Sequence, residues 1–174
     1  MTAIQSTMKK ILLPVGSLLF AIMASTCFHA AAAEPGSVAP DFTLPGMNNA
    51  IHLSDYKGKI VYLDFWASWC GPCKQSFPWM NTLQTRYANQ GLKIIAVNLD
   101  VNSADGRRFL DAVPAMFDIA FDPKGTLGRS YAVKGMPSSL LIDRDGKVIS
   151  QHIGFNPEAR AQLEHAIQIA MEKK

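Results

Sequence analysis

The chain has 174 residues, 48% of them hydrophobic and 18% charged, with 17 Lys and Arg against 14 Asp and Glu. That length holds one domain with a well-buried core and is too short for two ordinary ones. A formal net charge of +3 is too small to mark a nucleic-acid partner or an anionic membrane surface.

Lys9 and Lys10 stand before an uncharged apolar run from Ile11 to Met23, and Ala30 to Ala33 precede the first acid, Glu34. A basic start, an apolar middle and a small-residue tail make a secretory signal. The expected cut follows Ala33, within a few residues, giving a signal segment over 1–33 and one domain over 34–174. The run 11–28 is also just long enough to stay as a membrane anchor, although Pro14, Gly16 and the Ala-rich tail favour cleavage. Lipidation of Cys27 ranks third, because Ala24-Ser25-Thr26 is a poor match to the Leu-Ala-Gly that precedes a lipidated cysteine. Cleavage removes Lys9, Lys10 and Cys27 and leaves 15 basic residues against 14 acidic ones, a net charge of +1. Only Cys70 and Cys73 then remain as thiols.

After a short lead, Ala39 to Leu44 reads as a brief strand. Pro45 to Asn49 is a turn cluster, and Ala50 to Leu53 can pair back as a hairpin arm. A turn over Ser54–Lys59 leads into Ile60–Trp66, a nearly continuous apolar run of the kind buried on both faces of a sheet. Trp66-Ala67-Ser68-Trp69-Cys70-Gly71-Pro72-Cys73-Lys74 follows. From Cys70 to Gln90 the apolar positions Phe77, Met80, Leu83 and Tyr87 recur at helical spacing, Pro78 should kink the helix, and Gly91 ends it. Leu92–Leu99 is the next buried strand, which completes a strand–helix–strand unit. Ser103 caps a short helix through Val113, stopped by Pro114. Phe117–Phe121 reads as a strand, Gly125–Tyr131 as a short helix, and Ser138–Asp143 with Lys147–Ile153 as a hairpin turned at Asp145-Gly146. Pro157 opens a final amphipathic helix with Leu163, Ile167 and Ala170 inward.

Two cysteines three apart, where a strand runs into a helix, form a dithiol that can close into a small disulfide. Cys70 lies at the helix N-terminus, where partial positive charge and unpaired N–H groups stabilise a thiolate. Thiolate is the nucleophile of disulfide exchange, and Cys73, one turn further in, is positioned to attack a mixed disulfide. A zinc site would need two further ligands, and Cys27, His29, His52, His152 and His165 supply no ligand pair, so no metal is expected. A structural disulfide normally joins distant segments, because closing so small a loop removes little chain entropy. An exposed thiol pair in an exported domain therefore reads as redox chemistry.

From Gly36 to Met171 the chain resembles the thioredoxin superfamily, and within it the exported TlpA/ResA/CcmG(DsbE)-like branch. The resemblance is carried by Leu63 to Lys74 with Pro78 beyond, by Met136-Pro137 and by Leu141-Ile142-Asp143-Arg144-Asp145-Gly146. The lead Ala39-Pro40-Asp41-Phe42 and the segment Asn102–Phe121 point to the branch. It implies an α/β thioredoxin-like fold: a central mixed β-sheet flanked by helices, with an N-terminal β-hairpin and a central insertion.

The resemblance also implies the mechanism. Cys70 attacks a substrate disulfide and Cys73 resolves the mixed disulfide. Asp64 matches a buried acid that serves as base through a water; among Leu63, Phe65 and Trp66 its pKa should be raised. Pro137, as a cis residue, brings the Met136 backbone beside Cys70 to pair with an extended client. Trp69, Gly71 and Pro72 border the same site; Trp66 is the other aromatic that could flank it, although a Trp in such a strand is also ordinary core, and Trp69 is the better surface candidate. The branch often carries a glutamate three residues after the second cysteine, where this chain has Ser76, which puts the proton route in doubt.

Gly71-Pro72 is the dipeptide of thioredoxin, so the leading expectation is a periplasmic thiol:disulfide oxidoreductase acting as a reductant. It needs no cofactor, draws electrons from a membrane donor of the DsbD or CcdA type, and serves clients such as apocytochrome c or oxidase assembly factors. Nothing in the chain argues beyond a monomer. The same dithiol could run as an oxidant. A peroxiredoxin would need Pro-x-x-x-Thr-x-x-Cys, and the matching positions are Leu63 and Ala67. A Sco-like copper carrier would need Cys-x-x-x-Cys, and Cys70 and Cys73 are one residue too close.

Overall fold

The computed structural model describes residues 33–173. Apart from Ala33, the expected signal or anchor therefore lies outside the described residues. Among those described, no helix is long and apolar enough to cross a membrane.

The apolar run Ile60–Trp66 forms β3, buried at all seven positions. Such a strand must be covered on both sides, and it lies at the centre of a five-stranded sheet. The order is β5-β4-β3-β6-β7, with β4 Leu92–Asn98, β5 Asp118–Phe121, β6 Ser138–Ile142 and β7 Val148–Ile153. β3 runs parallel to β4 from Ile60↔Leu92 to Trp66↔Asn98, and antiparallel to β6 from Val61↔Ile142 to Phe65↔Ser138. β5 extends the parallel half and β7 the antiparallel half, so the sheet is mixed.

Strand alternation divides the core in two. Ile60, Tyr62 and Trp66 pack with Ile94 and Ala96 under α1 (Gly71–Tyr87) and α4 (Pro157–Glu172), against Phe77, Met80, Leu83, Leu163 and Ile167. Val61, Leu63 and Phe65 face the other way, with Ile95, Val97, Leu140 and Tyr131. Each such fully buried aliphatic or aromatic side chain contributes about 1.5–3 kcal/mol. The expected inner face of α4 is observed, and Asn156 caps it by accepting from Ala159 N–H at 2.8 Å.

Several boundaries move. The first strand is only Thr43–Pro45 (β1), paired with Ala50–His52 (β2). The lead before it bonds instead to the β6–β7 hairpin: Gly36 N–H donates to the Val148 carbonyl and Ala39 N–H to the Gly146 carbonyl, both at 2.8 Å. A short 3-10 turn over Leu53–Tyr56 opens the segment read as an irregular turn. α1 runs unbroken across Pro78 and hands over to a 3-10 turn, Ala88–Gln90, closed by Gly91 at φ 98°, a left-handed position that glycine adopts without strain. The insertion comprises α2 (Ser103–Ala112) and edge strand β5. Asn102 rather than Ser103 caps α2, its side chain accepting from Ala104 N–H. The short α3 (Thr126–Ser130) is held by Asp122, whose carboxyl oxygens accept the N–H groups of Thr126, Leu127 and Gly128.

Candidate active site at the end of the central strand

β3 ends at Trp66, and a turn closed by Cys70 N–H donating to the Ala67 carbonyl at 3.1 Å delivers Cys70 to the N-cap of α1. Pro72 lies in the first helical turn, where its missing N–H costs no helical bond. No acidic side chain occupies that turn, so nothing opposes the positive end of the helix. Cys70 and Cys73 are joined in a disulfide with their Cα atoms 5.3 Å apart, and Cys73 N–H donates to Cys70 Sγ at 3.2 Å. The pair is less open than the sequence suggests: Cys70 is 5% exposed and Cys73 fully buried. Burial of the second sulfur follows from its place on the inner side of α1, among Trp66 and Phe77. A side chain at Gly71 would meet nothing within 4 Å, so the surface beside Cys70 is open.

The two tryptophans of the motif separate. Trp69, next to Cys70, is 72% exposed. Trp66 does not flank the site at the surface; it is a core residue, edge-on to Phe77 at 4.9 Å and tilted against Phe109 at 4.8 Å.

Asp64 is buried, and burial pushes its carboxyl well above the ordinary carboxylate range. The direction matches the expectation, and of the expected surroundings Trp66 alone is on the same face. Leu63 and Phe65 point to the opposite face, and Asp64 shares its side of the sheet with Tyr62 and Trp66. That is the side covered by α1 and Cys73. Burial, then the charge of Asp64, raises the Tyr62 phenol far above its usual range, with Ser139, opposite Asp64 in register, acting the other way. Asp64 Oδ2, Trp66 Nε1 and Trp79 Nε1 are the buried side-chain polar atoms without a protein partner among the described residues. Ser76, where the branch carries glutamate, is buried and donates to the Cys73 carbonyl at 3.0 Å.

The Met136–Pro137 bond is cis. Ser138 pairs with Phe65, so Pro137 lies level with the point where β3 leaves the sheet for Cys70. Gly154 N–H donates to the Pro137 carbonyl at 2.7 Å, and Met136 packs against the cluster that includes both cysteines. Asp64, Cys70 and Cys73 come from one continuous stretch, and the pairing of β3 with β6 brings Pro137 to the same end of β3 from much later in the chain. Sequence reasoning passes over Ser68 and Asp100, joined across 32 residues beside Cys70; the only signal is an Asp just past the end of a buried strand.

The redoxin family model matches residues 34–167. The thiol-disulfide oxidoreductase ResA of Bacillus thuringiensis subsp. konkukian is 37% identical over 136 residues, which is 78% of each chain. ResA of Bacillus subtilis is 36% identical over 125 residues, 71% of this chain and 70% of that one. A crystal structure named for a thiol:disulfide interchange protein DsbE of Chlorobium tepidum superimposes with a TM-score of 0.79 at 55% identity, covering 80% of this chain and 99% of the other.

Proposed function

The chain belongs to the redoxin family and is a thioredoxin-fold thiol-disulfide oxidoreductase, and on that premise we propose that it works as a reductant of protein disulfides in the periplasm. The observation that carries the site assignment is the Cys70–Cys73 disulfide at the N-terminus of α1, with one sulfur at the surface edge and the other buried.

In the dithiol form Cys70 thiolate attacks one sulfur of a client disulfide. A new S–S bond forms, and the client's other sulfur leaves as a thiolate. Cys73 then gives its proton towards Asp64 and attacks Cys70 Sγ. The mixed disulfide breaks, the second client sulfur leaves, and Cys70–Cys73 is oxidised as the client gains two electrons. A buried thiol holds its proton tightly, so resolution needs a base, and an acid with a raised pKa is matched to that task near neutrality. Ser76 cannot serve, which concentrates the role on Asp64. Met136, ahead of cis Pro137, offers its backbone to an extended client segment, and Trp69 with Gly71 and Pro72 forms the rim on which that segment rests.

An oxidising compartment supplies no thiol to reset the pair, so electrons would come from a membrane donor of the DsbD or CcdA type. The clients would be apocytochrome c or oxidase assembly factors, met by a monomeric domain over 34–174 after removal or anchoring of 1–33.

The test is the equilibrium reduction potential of the Cys70–Cys73 pair in the purified protein. A value near that of thioredoxin, about −270 mV, supports the reductant. A value near that of DsbA, about −120 mV, replaces it with the alternative reading, a disulfide donor.

A further inference from the structure

Ser68 stands two residues before Cys70, inside the turn that the Cys70–Ala67 hydrogen bond closes. Both of its donors go to one carboxyl group. Its backbone N–H donates to Asp100 Oδ2 at 2.9 Å and its hydroxyl to Asp100 Oδ1 at 3.1 Å. Asp100 is 4% exposed and lies just past the end of β4. Asn98 braces it from below: Asn98 Nδ2 donates to Asp100 Oδ2 at 2.7 Å, and Asp100 N–H donates to Asn98 Oδ1 at 3.3 Å. Asn98 is itself fully buried and wedged against α2, where a Cβ on Gly106 would come within 2.7 Å of the amide. A continuous path thus runs from the backbone of α2 to the turn carrying Cys70.

A buried carboxyl group with satisfied hydrogen bonds is often only a piece of fold. Here the strand ends are already joined without it, because Leu99 N–H donates to the Trp66 carbonyl at 2.8 Å. Beyond its Asn98 brace, the side chain of Asp100 bonds, among the described residues, only to Ser68, which stands between strand and N-cap. What that turn delivers is a sulfur, and the helix-terminus effect on a sulfur fades within one turn. A small displacement of Cys70 would therefore change both its thiolate and its closure with Cys73.

We propose that Asp100 is a positioning residue for disulfide exchange: by holding Ser68 it fixes Cys70 at the N-terminus of α1, in reach of the Cys73 N–H and the Cys73 sulfur. The proposal rests on Cys70–Cys73 being the redox pair and is independent of the direction in which the pair works.

Two variants of equal charge separate position from field. Asp100→Asn keeps an oxygen for the Ser68 and Asn98 N–H groups, and the Ser68 hydroxyl can turn to accept from its amide. Asp100→Ala keeps none of these bonds. The full-length protein is equilibrated in glutathione buffers to obtain the disulfide–dithiol constant, and the reduced protein is alkylated with iodoacetamide across pH. Asp100→Asn should hold the disulfide–dithiol constant close to that of the unsubstituted protein. In Asp100→Ala the disulfide should be about tenfold less favoured, roughly 30 mV, and the alkylation profile of Cys70 should shift to higher pH relative to Asp100→Asn. Ser68→Ala, which removes only the hydroxyl bond and leaves the fold intact, should shift the constant about threefold.

Identical constants and profiles for Asp100→Ala and Asp100→Asn overturn the proposal and leave Asp100 as a fold residue, even where melting temperatures differ. If Asp100→Ala does not fold, an unshifted constant in Ser68→Ala overturns it equally. An unsubstituted protein that does not exchange with glutathione at all overturns the redox reading itself.

Discussion

The backbone N–H of Cys73 donates to Sγ of Cys70 at 3.2 Å, so the outer sulfur sits on a donor of the first turn of α1 in the oxidised protein. Cleavage of the disulfide would leave charge on the same sulfur, and a hydrogen bond to an ionised acceptor is roughly twice as strong as a neutral one. The inner sulfur is fully buried and accepts no such bond among the described residues. The two sulfurs are therefore unequal before any client arrives, and the proposed order of attack follows from that inequality.

Removing each sulfur should consequently give a different failure. Cys70→Ser should abolish disulfide reduction and form no mixed disulfide. Cys73→Ser should still attack but stall, so that a client remains bound covalently through Cys70. Non-reducing electrophoresis and intact mass of the protein incubated with an oxidised peptide distinguish the two. A trapped adduct on Cys73 in the Cys70→Ser variant would reverse the assignment.

Trp69 exposes 72% of its surface beside the reactive sulfur and makes no aromatic contact among the described residues. A side chain that stabilises nothing inside the fold can be removed with a stability change within about 0.5 kcal/mol. If it is part of the client rim, Trp69→Ala should raise KM for a protein disulfide several-fold while the rate with a small-molecule disulfide stays the same. Steady-state kinetics with both substrates, alongside a thermal melt, separate these effects. Equal KM values would remove Trp69 from the site.

The central sheet was legible because Ile60–Trp66 and Leu92–Asn98 are apolar runs too continuous for a half-exposed strand, and the reactive pair because its spacing coincides with a strand-to-helix junction. What escaped the sequence depends on contacts between strands. Of the surroundings read for Asp64, Leu63 and Phe65 fall on the opposite face, because a strand turns adjacent side chains alternately, whereas Trp66 does share its face, together with Tyr62. Trp66 belongs to the apolar run read as a buried strand, which points to core, while its place beside the cysteine motif points to the site; the structure puts it in the core. The bond between Ser68 and Asp100 exists only because parallel pairing brings the ends of β3 and β4 level. The cis bond at Pro137 came from family resemblance, since the local sequence Gly135-Met136-Pro137-Ser138 suits an ordinary turn as well.

Gly106 gives a prediction opposite to helix propensity. In the middle of α2, glycine to alanine would ordinarily stabilise by about 1 kcal/mol. Here the new Cβ would stand 2.7–2.8 Å from the Asn98 amide, which is buried and already hydrogen-bonded to Asp100. Relief requires the amide to move off Asp100 or α2 to move off the sheet, so Gly106→Ala should destabilise by roughly 1–3 kcal/mol. Gly71→Ala, whose Cβ meets nothing within 4 Å, should leave stability nearly unchanged. Urea melts of the two variants test the contrast, and a stabilised Gly106→Ala would show that Asn98 yields freely.

Asp64 links stability and turnover with opposite signs. Burial holds its carboxyl well above the ordinary range, whereas in the unfolded chain an aspartate titrates near about 3.9. Between those two values the folded protein keeps a proton that the unfolded chain has released, so stability falls as pH rises through the window. The contribution of Asp64 is fully present below the unfolded value and lost as pH passes the folded one. Asp64→Asn should therefore flatten the pH dependence of stability, and its advantage over the unsubstituted protein should grow as pH rises through the window and level off above the folded value. The same substitution removes the base proposed for Cys73, so release of the mixed disulfide should slow by about 10²-fold or more and lose its pH-dependent limb, while attack by Cys70 proceeds. Denaturant melts across pH, paired with single-turnover kinetics of mixed-disulfide decay, read both arms. A variant that is less stable in alkaline buffer yet resolves at the unsubstituted rate would make Asp64 a structural carboxyl group and send the proton by another route.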